Sequence, residues 1–393
     1  MDRLQAALNR QPRTRALTRH QTERHETEGD VEARVSRGVV TGDLRRGRGS
    51  LSNATSRFNT EVRGSFDDGW EGLGELAAFK TEVQDAPART IIARNDSPDI
   101  SFDQSINPYR GCEHGCVYCY ARPTHCYLGH SAGLDFETKL YAKPNAAELL
   151  EQELAHPRYV PKVIALGTNT DPYQPIERER RLTRAILEVL DRTGHPVGIV
   201  TKSTLVTRDI DILSRMAERG LVKVALSVTT LDRRLARAME PRASTPGKRL
   251  EALRQLSEAG IPTAVMVAPV IPSLTDHEIE SILSAARDAG CSEAGYVLLR
   301  LPLELKDIFR EWLAEHAPDR ADRVLHLLQS MHGGRDYTAE FGLRQKGSGP
   351  YASQISLRFR LALKRLGLNG RRQVLRTDLF ERPVLKGGQM SMF

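Results

Sequence analysis

The sequence predicts an α/β fold: a partial barrel of six strand–helix units, (βα)6, with a disordered basic N-terminal tail and a small helical, basic C-terminal extension. Three observations point to it. Short apolar runs alternate with helix-periodic segments between about Ser101 and Leu301. The first run leads into a cysteine-bearing loop, and later runs end in polar residues. Gly260 and Gly290 stand where two of the helices should stop, in positions suited to a left-handed cap. Such alternation implies a parallel sheet with right-handed crossovers. Six units are too few to close an eight-stranded barrel, and ligands of such sheets sit at the C-terminal strand ends.

The elements follow in order. Residues 1–60 are rich in Arg, Glu, Thr and Gly and show no apolar period, which reads as a disordered tail. Within it GDLRRGRGS, Gly42 to Ser50, reads as a flexible basic segment, solvated or touching phosphates. Residues 61–100 form an extension expected to pack on the core. Its TIIARNDSPDISF, Thr90 to Phe102, reads as short strands around a turn at Asn95–Pro98. The core is 101–302. Its first strand is expected near Phe102–Ile106. The helix AAELLEQELA starts at Ala146, with Asn145 placed as its cap. KVIALG from Lys162 is the second strand, and Arg180–Asp191 has helical spacing at Leu182, Ile186, Leu187 and Leu190. VGIVT from Val197 is the third strand, followed by a helix over Ile210–Ala217. VKVALSV from Val222 is the fourth, followed by a helix over Leu250–Ala259. PTAVMVAPVI is the fifth, with Pro262 tolerable at its start, followed by a helix over Ile279–Ala289. AGYVLLRLP from Ala294 is the sixth.

Composition narrows the function classes. The chain has 393 residues, 40% hydrophobic and 27% charged, enough for a large core. No apolar run approaches the roughly 20 residues needed to span a bilayer, so no membrane partner is expected. The N-terminus lacks the apolar region of a secretory signal. Five cysteines are sparse and odd in number, which argues against a disulfide framework and for a reducing, cytoplasmic setting. The net charge of +7 hints at a polyanionic partner.

The most informative run is PYRGCEHGCVYCYARPTH, where Cys112, Cys116 and Cys119 are spaced C-x3-C-x2-C. Thiolates are natural ligands of iron–sulfur clusters. Three of them on a four-iron cubane leave one iron open to a substrate or cofactor. A structural zinc site would need Cys126, His125 or His130 as fourth ligand, and the second C-x2-C knuckle usual in such sites is missing. The motif resembles that of the radical S-adenosylmethionine (SAM) enzymes, in which the open iron of a [4Fe-4S] cluster chelates SAM. Reductive cleavage there yields a 5′-deoxyadenosyl radical. The residue before the third cysteine is usually aromatic in that superfamily, and Tyr118 fits.

The resemblance implies roles for the strand ends. The second strand ends in GTNTDPYQPIE, and Asn169, Thr170 and Asp171 are placed to meet the SAM amino group, without the superfamily's usual glycine–glycine–acid motif. Lys202 at the third strand end is suited to the SAM carboxylate. Ser227, Thr229 and Thr230 end the fourth, where the ribose or carboxylate binds. Ala268 to Asp276 follows the fifth, where adenine packs. A Ser or Thr after a strand is also a common helix cap.

A longer set of segments is similar to uncharacterised bacterial radical SAM proteins related to the spore photoproduct lyases. It comprises SINPYRGCEHGCVYCYARPTH, GLDFETKLYAKPNAAELL, GTNTDPYQPIER, TKSTLVTRDIDIL, LDRRLARAMEPRASTPGKRL and AGIPTAVMVAPVIPSLTD, and the likeness extends over about Phe66 to Leu368. It implies Cys112, Cys116 and Cys119 for the cluster, Tyr118, Lys202 and Ser227 for SAM, and a match at Tyr120. It also implies an electron donor such as flavodoxin or ferredoxin and a DNA repair or modification reaction. The lyase reverses a thymine dimer with a cysteine hydrogen donor near the second strand end. GTNTDPYQ has no cysteine, and Cys126 and Cys291 lie elsewhere.

Residues 303–376 form the basic extension. Arg335 to Arg376 holds ten basic residues against two acids. SGPYASQISLRFRLALKRLGL reads as an amphipathic helix anchored by Ile355, Phe359, Leu361 and Leu366. Arg358, Arg360, Lys364, Arg371 and Arg372 are expected to meet nucleic-acid phosphates, with Gly347–Pro350 as a flexible loop beside them. Residues 377–393 read as a flexible tail. Its end, Gln389-Met390-Ser391-Met392-Phe393, resembles a sliding-clamp-binding peptide, with Gln389, Met392 and Phe393 as contacts. The classes left open are a radical SAM enzyme on nucleic acid, one modifying RNA or protein, and a metal-stabilised nucleic-acid-binding module without chemistry.

Overall fold

The computed structural model describes residues 47–59, 80–370 and 373–385. Its strands are β1 (Glu82–Asp85), β2 (Ile92–Arg94), β3 (Gln104–Ile106), β4 (Tyr109–Arg110), β5 (Lys139–Ala142), β6 (Ile164–Leu166), β7 (Val197–Thr201), β8 (Val222–Ser227), β9 (Thr263–Val270) and β10 (Glu293–Leu298). One sheet has the order β10-β9-β8-β7-β6-β3-β2. Its six core strands, β3 and β6 to β10, run parallel and are the six expected ones. β2 adds an antiparallel edge, with Ile92 opposite Ile106. The sheet stays open, as six units require.

The central parallel strands β6 and β8 are almost wholly buried and read as continuous apolar runs. Ile164, Leu166, Val224, Leu226 and Val265 are fully buried. The crossover helices Leu182–Arg192, Ile210–Glu218, Pro246–Glu258 and Ile279–Asp288 turn an apolar stripe inward; Ile186, Leu187 and Leu190 of the first are buried. Gly260 and Gly290 adopt φ of 76° and 92°, the left-handed conformation expected of them. Asn145 precedes the helix Ala146–Ala155 but does not cap it through its side chain. Its amide instead pairs with both backbone groups of Ala88 and ties the N-terminal extension to the core.

Three expectations change. The tail was expected to be disordered to residue 60, yet Ser50, Leu51, Ser52 and Ser56 are buried. Arg48 donates to the Glu137 carbonyl and to Thr81, so this part of the basic segment belongs to the fold. Secondly, the helix Gly349–Leu366 packs through Ala352, Ile355, Phe359 and Ala362, whereas Leu361, an expected anchor, is 58% exposed. The Gly347–Pro350 stretch is not a free loop: Ser348 N–H donates to Met331 C=O at 2.9 Å and the helix begins at Gly349. Thirdly, the tail from residue 377 is not wholly free. Glu381 N–H donates to Thr193 C=O at 2.8 Å, and Phe380 packs on Tyr159 and edge-on against His195. These contacts lie at the N-terminal strand ends, opposite the face where ligands of such sheets bind. Phe380→Ala is expected to lower the unfolding free energy by about 2 kcal/mol in urea titration, the scale of one half-buried aromatic side chain. An unchanged midpoint would remove this strap from the folded unit. Among the described residues no helix is long and apolar enough to cross a membrane.

Candidate metal centre

The loop after β3 carries the three cysteines. β4 pairs with β5, and Cys112 N–H donates to Phe136 C=O at 2.9 Å. Val117 N–H reaches Met239 C=O, and Cys119 N–H reaches Cys116 C=O. The loop is then closed by Arg122, whose guanidinium is fully buried. Its Nε donates to Cys116 C=O at 2.9 Å, Nη1 to the carbonyls of Ala132 and Gly133, and Nη2 to Gly115 C=O and the Glu137 carboxylate. Glu137 also accepts from the amides of Gly49 and Ser50 at 2.9 and 2.8 Å. Gly49 is required there: a Cβ would stand 1.8 Å from the Gly115 oxygen. No sequence signal set Arg122 or Glu137 apart from the other charged residues.

At the second core strand end, Asp171 is enclosed by the protein. It accepts from Thr201 Oγ1 at 2.6 Å, Lys202 N–H at 2.8 Å and Tyr173 N–H at 2.9 Å, and faces His114 Nδ1 at 3.3 Å. Burial alone would raise its carboxyl, but His114 and these donors hold it at about 2. Asp171 therefore fixes the end of β7 rather than offering free oxygens, and Thr170 is similarly engaged, donating to Tyr109 C=O. Asn169 is half-buried, its N–H bonded to Asn107 Oδ1, and its side-chain amide has no partner among the described residues. Lys202 Nζ lies 5.6 Å from the Tyr118 ring centre and has no ion pair among the described residues.

A second buried network, absent from the sequence reading, joins Tyr118 to the end of β8. Glu240 accepts from the Tyr118 hydroxyl and from Thr229 Oγ1, and pairs with Arg249. Arg249 also donates to Ser227 C=O at 2.9 Å and Ser244 C=O at 2.7 Å. Thr230, expected at a ligand, donates instead to Glu278. Tyr118, Lys202 and Ser227 are thus brought to neighbouring strand ends beside the cysteine loop. Tyr120 donates to Thr168 C=O and lies under the Arg300 guanidinium, 4.4 Å from its ring centre.

Five free thiols are present. Cys112 and Cys116 are buried and Cys119 is half-buried. Burial first, then Asp171 and the other two thiols, push the Cys112 thiol well up, and the same burial raises Cys116. A thiol held protonated in this way becomes a thiolate when it ligates a metal. Among the described residues no three Cys, His, Asp or Glu side chains converge on one point. A cubane takes each thiolate on a different iron, and three sulfurs on one braced loop fit that donor set. His125 is drawn against His130 and Phe136 rather than to the thiols. Cys126 is buried in the short helix Arg122–Leu128, and Cys291 is buried just before β10, so neither stands at the second core strand end.

The C-terminal cations are partly engaged. Arg358 was expected to meet phosphate, but it grips Glu280 at 2.6 Å and the Asp276 carbonyl, fastening its helix to Ile279–Asp288. Arg360 and Lys364 are exposed. Arg371, Arg372, Gln389, Met392 and Phe393 lie outside the described residues.

Residues 106–286 match the family model of the radical SAM superfamily. An uncharacterized protein of Mycobacterium tuberculosis is 38% identical over 230 residues, spanning 58% of this chain and 68% of that protein. A radical SAM Nalpha-GlyT isomerase of Pseudomonas phage M6 is 26% identical over 181 residues, 45% of this chain and 35% of that one. Among solved structures, spore photoproduct lyase complexed with dinucleoside spore photoproduct superposes with a TM-score of 0.52 at 17% identity, covering 72% of this chain and 79% of the lyase. That likeness is one of fold.

Proposed function

Because the chain belongs to the radical SAM superfamily, we propose that it is a radical enzyme acting on nucleic acid, in DNA repair or modification. The observation that carries this reading is the braced loop of Cys112, Cys116 and Cys119 at the strand ends, with Tyr118, Lys202 and Ser227 around it. When bound, a [4Fe-4S] cluster and SAM supply an electron and the 5′-deoxyadenosyl radical. The protein's own part is to hold and orient. Cys112, Cys116 and Cys119 ligate the cluster. Lys202 offers a point charge to the SAM carboxylate, and Asn169 an unpartnered amide to its polar end. Asp171 presents Lys202 by holding its backbone N–H. Tyr118, fixed by Glu240, walls the site. With no thiol at the end of β6, quenching of a substrate radical by a cysteine there is not available to this chain.

Support for the nucleic-acid substrate comes from the net charge of +7, the exposed Arg360 and Lys364, and the lyase-like fold. We further propose that the terminal Gln389–Phe393 peptide docks on a sliding clamp through Gln389, Met392 and Phe393, and that a flavodoxin or ferredoxin supplies electrons. Anaerobic purification tests the core of the reading. Iron and sulfide near four per chain, bleaching by dithionite, and SAM-dependent release of 5′-deoxyadenosine are expected. Replacing the three cysteines with alanine should remove all three signals. Stoichiometric zinc without iron would overturn it. Deuterium transferred from labelled SAM into DNA, rather than RNA or protein, identifies the substrate.

A further inference from the structure

Among the described residues, two cations beside the cysteine loop stand in no ion pair. Arg110 lies opposite Tyr141 in the β4–β5 pair, and Tyr109 opposite Ala142. Side chains alternate across a strand, so Arg110, Tyr141 and Lys143 share one face, and Tyr109, Leu140 and Ala142 the other. The second set is buried. On the first face Arg110 is exposed and Lys143 half-buried. Lys143 N–H donates to Pro108 C=O at 3.0 Å, continuing the pairing past β5, and its Nζ donates to Asn107 C=O at 2.7 Å. Among the described residues neither cation forms an ion pair. Burial, then the Arg110 guanidinium, lower the Lys143 ammonium to about 8. Lys139, the next lysine on the same face, is paired with Asp135 at 3.0 Å. The same Asn107 accepts through its side chain from the amides of Asn169 and Thr170 at the end of β6. Cys112 follows Arg110 by two residues. The cation pair therefore flanks the candidate site.

We propose that Arg110 and Lys143 form a binding site for one backbone phosphodiester of the nucleic-acid substrate, which sets the strand against the cysteine loop. The proposal rests on the nucleic-acid reading above. Two like charges held together, one half out of water, oppose folding unless an anion joins them. A planar guanidinium beside a point ammonium suits a tetrahedral oxyanion.

The test is binding of fluorescent single- and double-stranded DNA over a salt series to cluster-loaded protein. The double variant Arg110→Gln/Lys143→Met is expected to bind about tenfold more weakly. Its plot of log affinity against log salt should flatten by about one for the lost phosphate. Lys143→Arg, which keeps the charge, should bind within about twofold of the parent. Wild-type binding with an unchanged double variant would overturn the site while leaving the nucleic-acid reading in place. Failure of the parent chain itself to bind either DNA at low salt would overturn the reading and the site together. Iron content and melting temperature serve as folding controls. If the double variant loses either, Arg110→Gln alone decides the matter, because its side chain is exposed and forms no hydrogen bond or ion pair among the described residues.

Discussion

Replacing Arg122 with methionine is expected to cost about 3–5 kcal/mol of folding free energy, the scale of a broken buried ion pair, and to prevent retention of iron. The reason is the number of groups this one side chain serves. It donates to the carbonyls of Cys116, Gly115, Ala132 and Gly133 and to the Glu137 carboxylate. Both members of the ion pair are fully buried. Without the guanidinium, Glu137 keeps the amides of Gly49 and Ser50 and the nearby charge of Arg48, and four carbonyls lose a donor in a place water does not reach. Arg122→Lys should recover part of the stability, since an ammonium can meet the carboxylate but cannot span the fork. Arg122→Met/Glu137→Leu should regain some stability over the single variant and still hold little iron, because the loop carbonyls stay unserved. Urea unfolding and iron per chain separate the two effects. Full iron occupancy in the methionine variant would show that the loop needs no such brace.

The core strands were legible because burial of the central ones demands apolar runs such as KVIALG and VKVALSV, which few other structures tolerate. The cysteine loop was legible because ligand spacing is a local property. Arg122 and Arg249 were not. Fifty-seven lysines and arginines stand in the chain, and burial of two of them is decided by distant carbonyls that no window displays. Residues 47–59 were misread for a similar reason. A Gly- and Ser-rich segment with no apolar period looks unstructured, and its order comes from Glu137, nearly 90 residues away. Arg358 is one more cation along its own segment, and its partner Glu280 stands on another helix. Counting charges along a segment measures composition, whereas the partner that cancels a charge is set by tertiary packing. Asn145 and Asp171 show the same limit at smaller scale. Each stands where a local rule expects a cap or a ligand, and each is engaged by a strand or loop distant in sequence.

Removal of the Glu240 carboxylate by Glu240→Ala is expected to cost about 3–5 kcal/mol and to weaken SAM binding at least tenfold. Arg249, left buried at about 1% exposure, would keep only the Ser227 and Ser244 carbonyls. Tyr118 and Thr229 would lose their shared carboxylate acceptor and keep each other and the Ala268 carbonyl. Tyr118→Phe should be milder, about 1–2 kcal/mol for one lost hydroxyl bond, because Glu240 keeps Thr229 and Arg249. Glu240→Gln should fall between: the amide oxygen still accepts from Tyr118 and Thr229, but the guanidinium loses its counter-charge. The order of stability loss tests the network, and calorimetric titration of SAM into cluster-loaded protein tests its link to the site. If Glu240 acts by presenting Tyr118 and the Ser227 strand end, SAM affinity should fall in the same order, Ala below Gln below the Tyr118→Phe variant. Loss of stability in that order with SAM affinity held constant would make the network a brace of β8 alone and move the SAM contacts to the Lys202 side of the mouth.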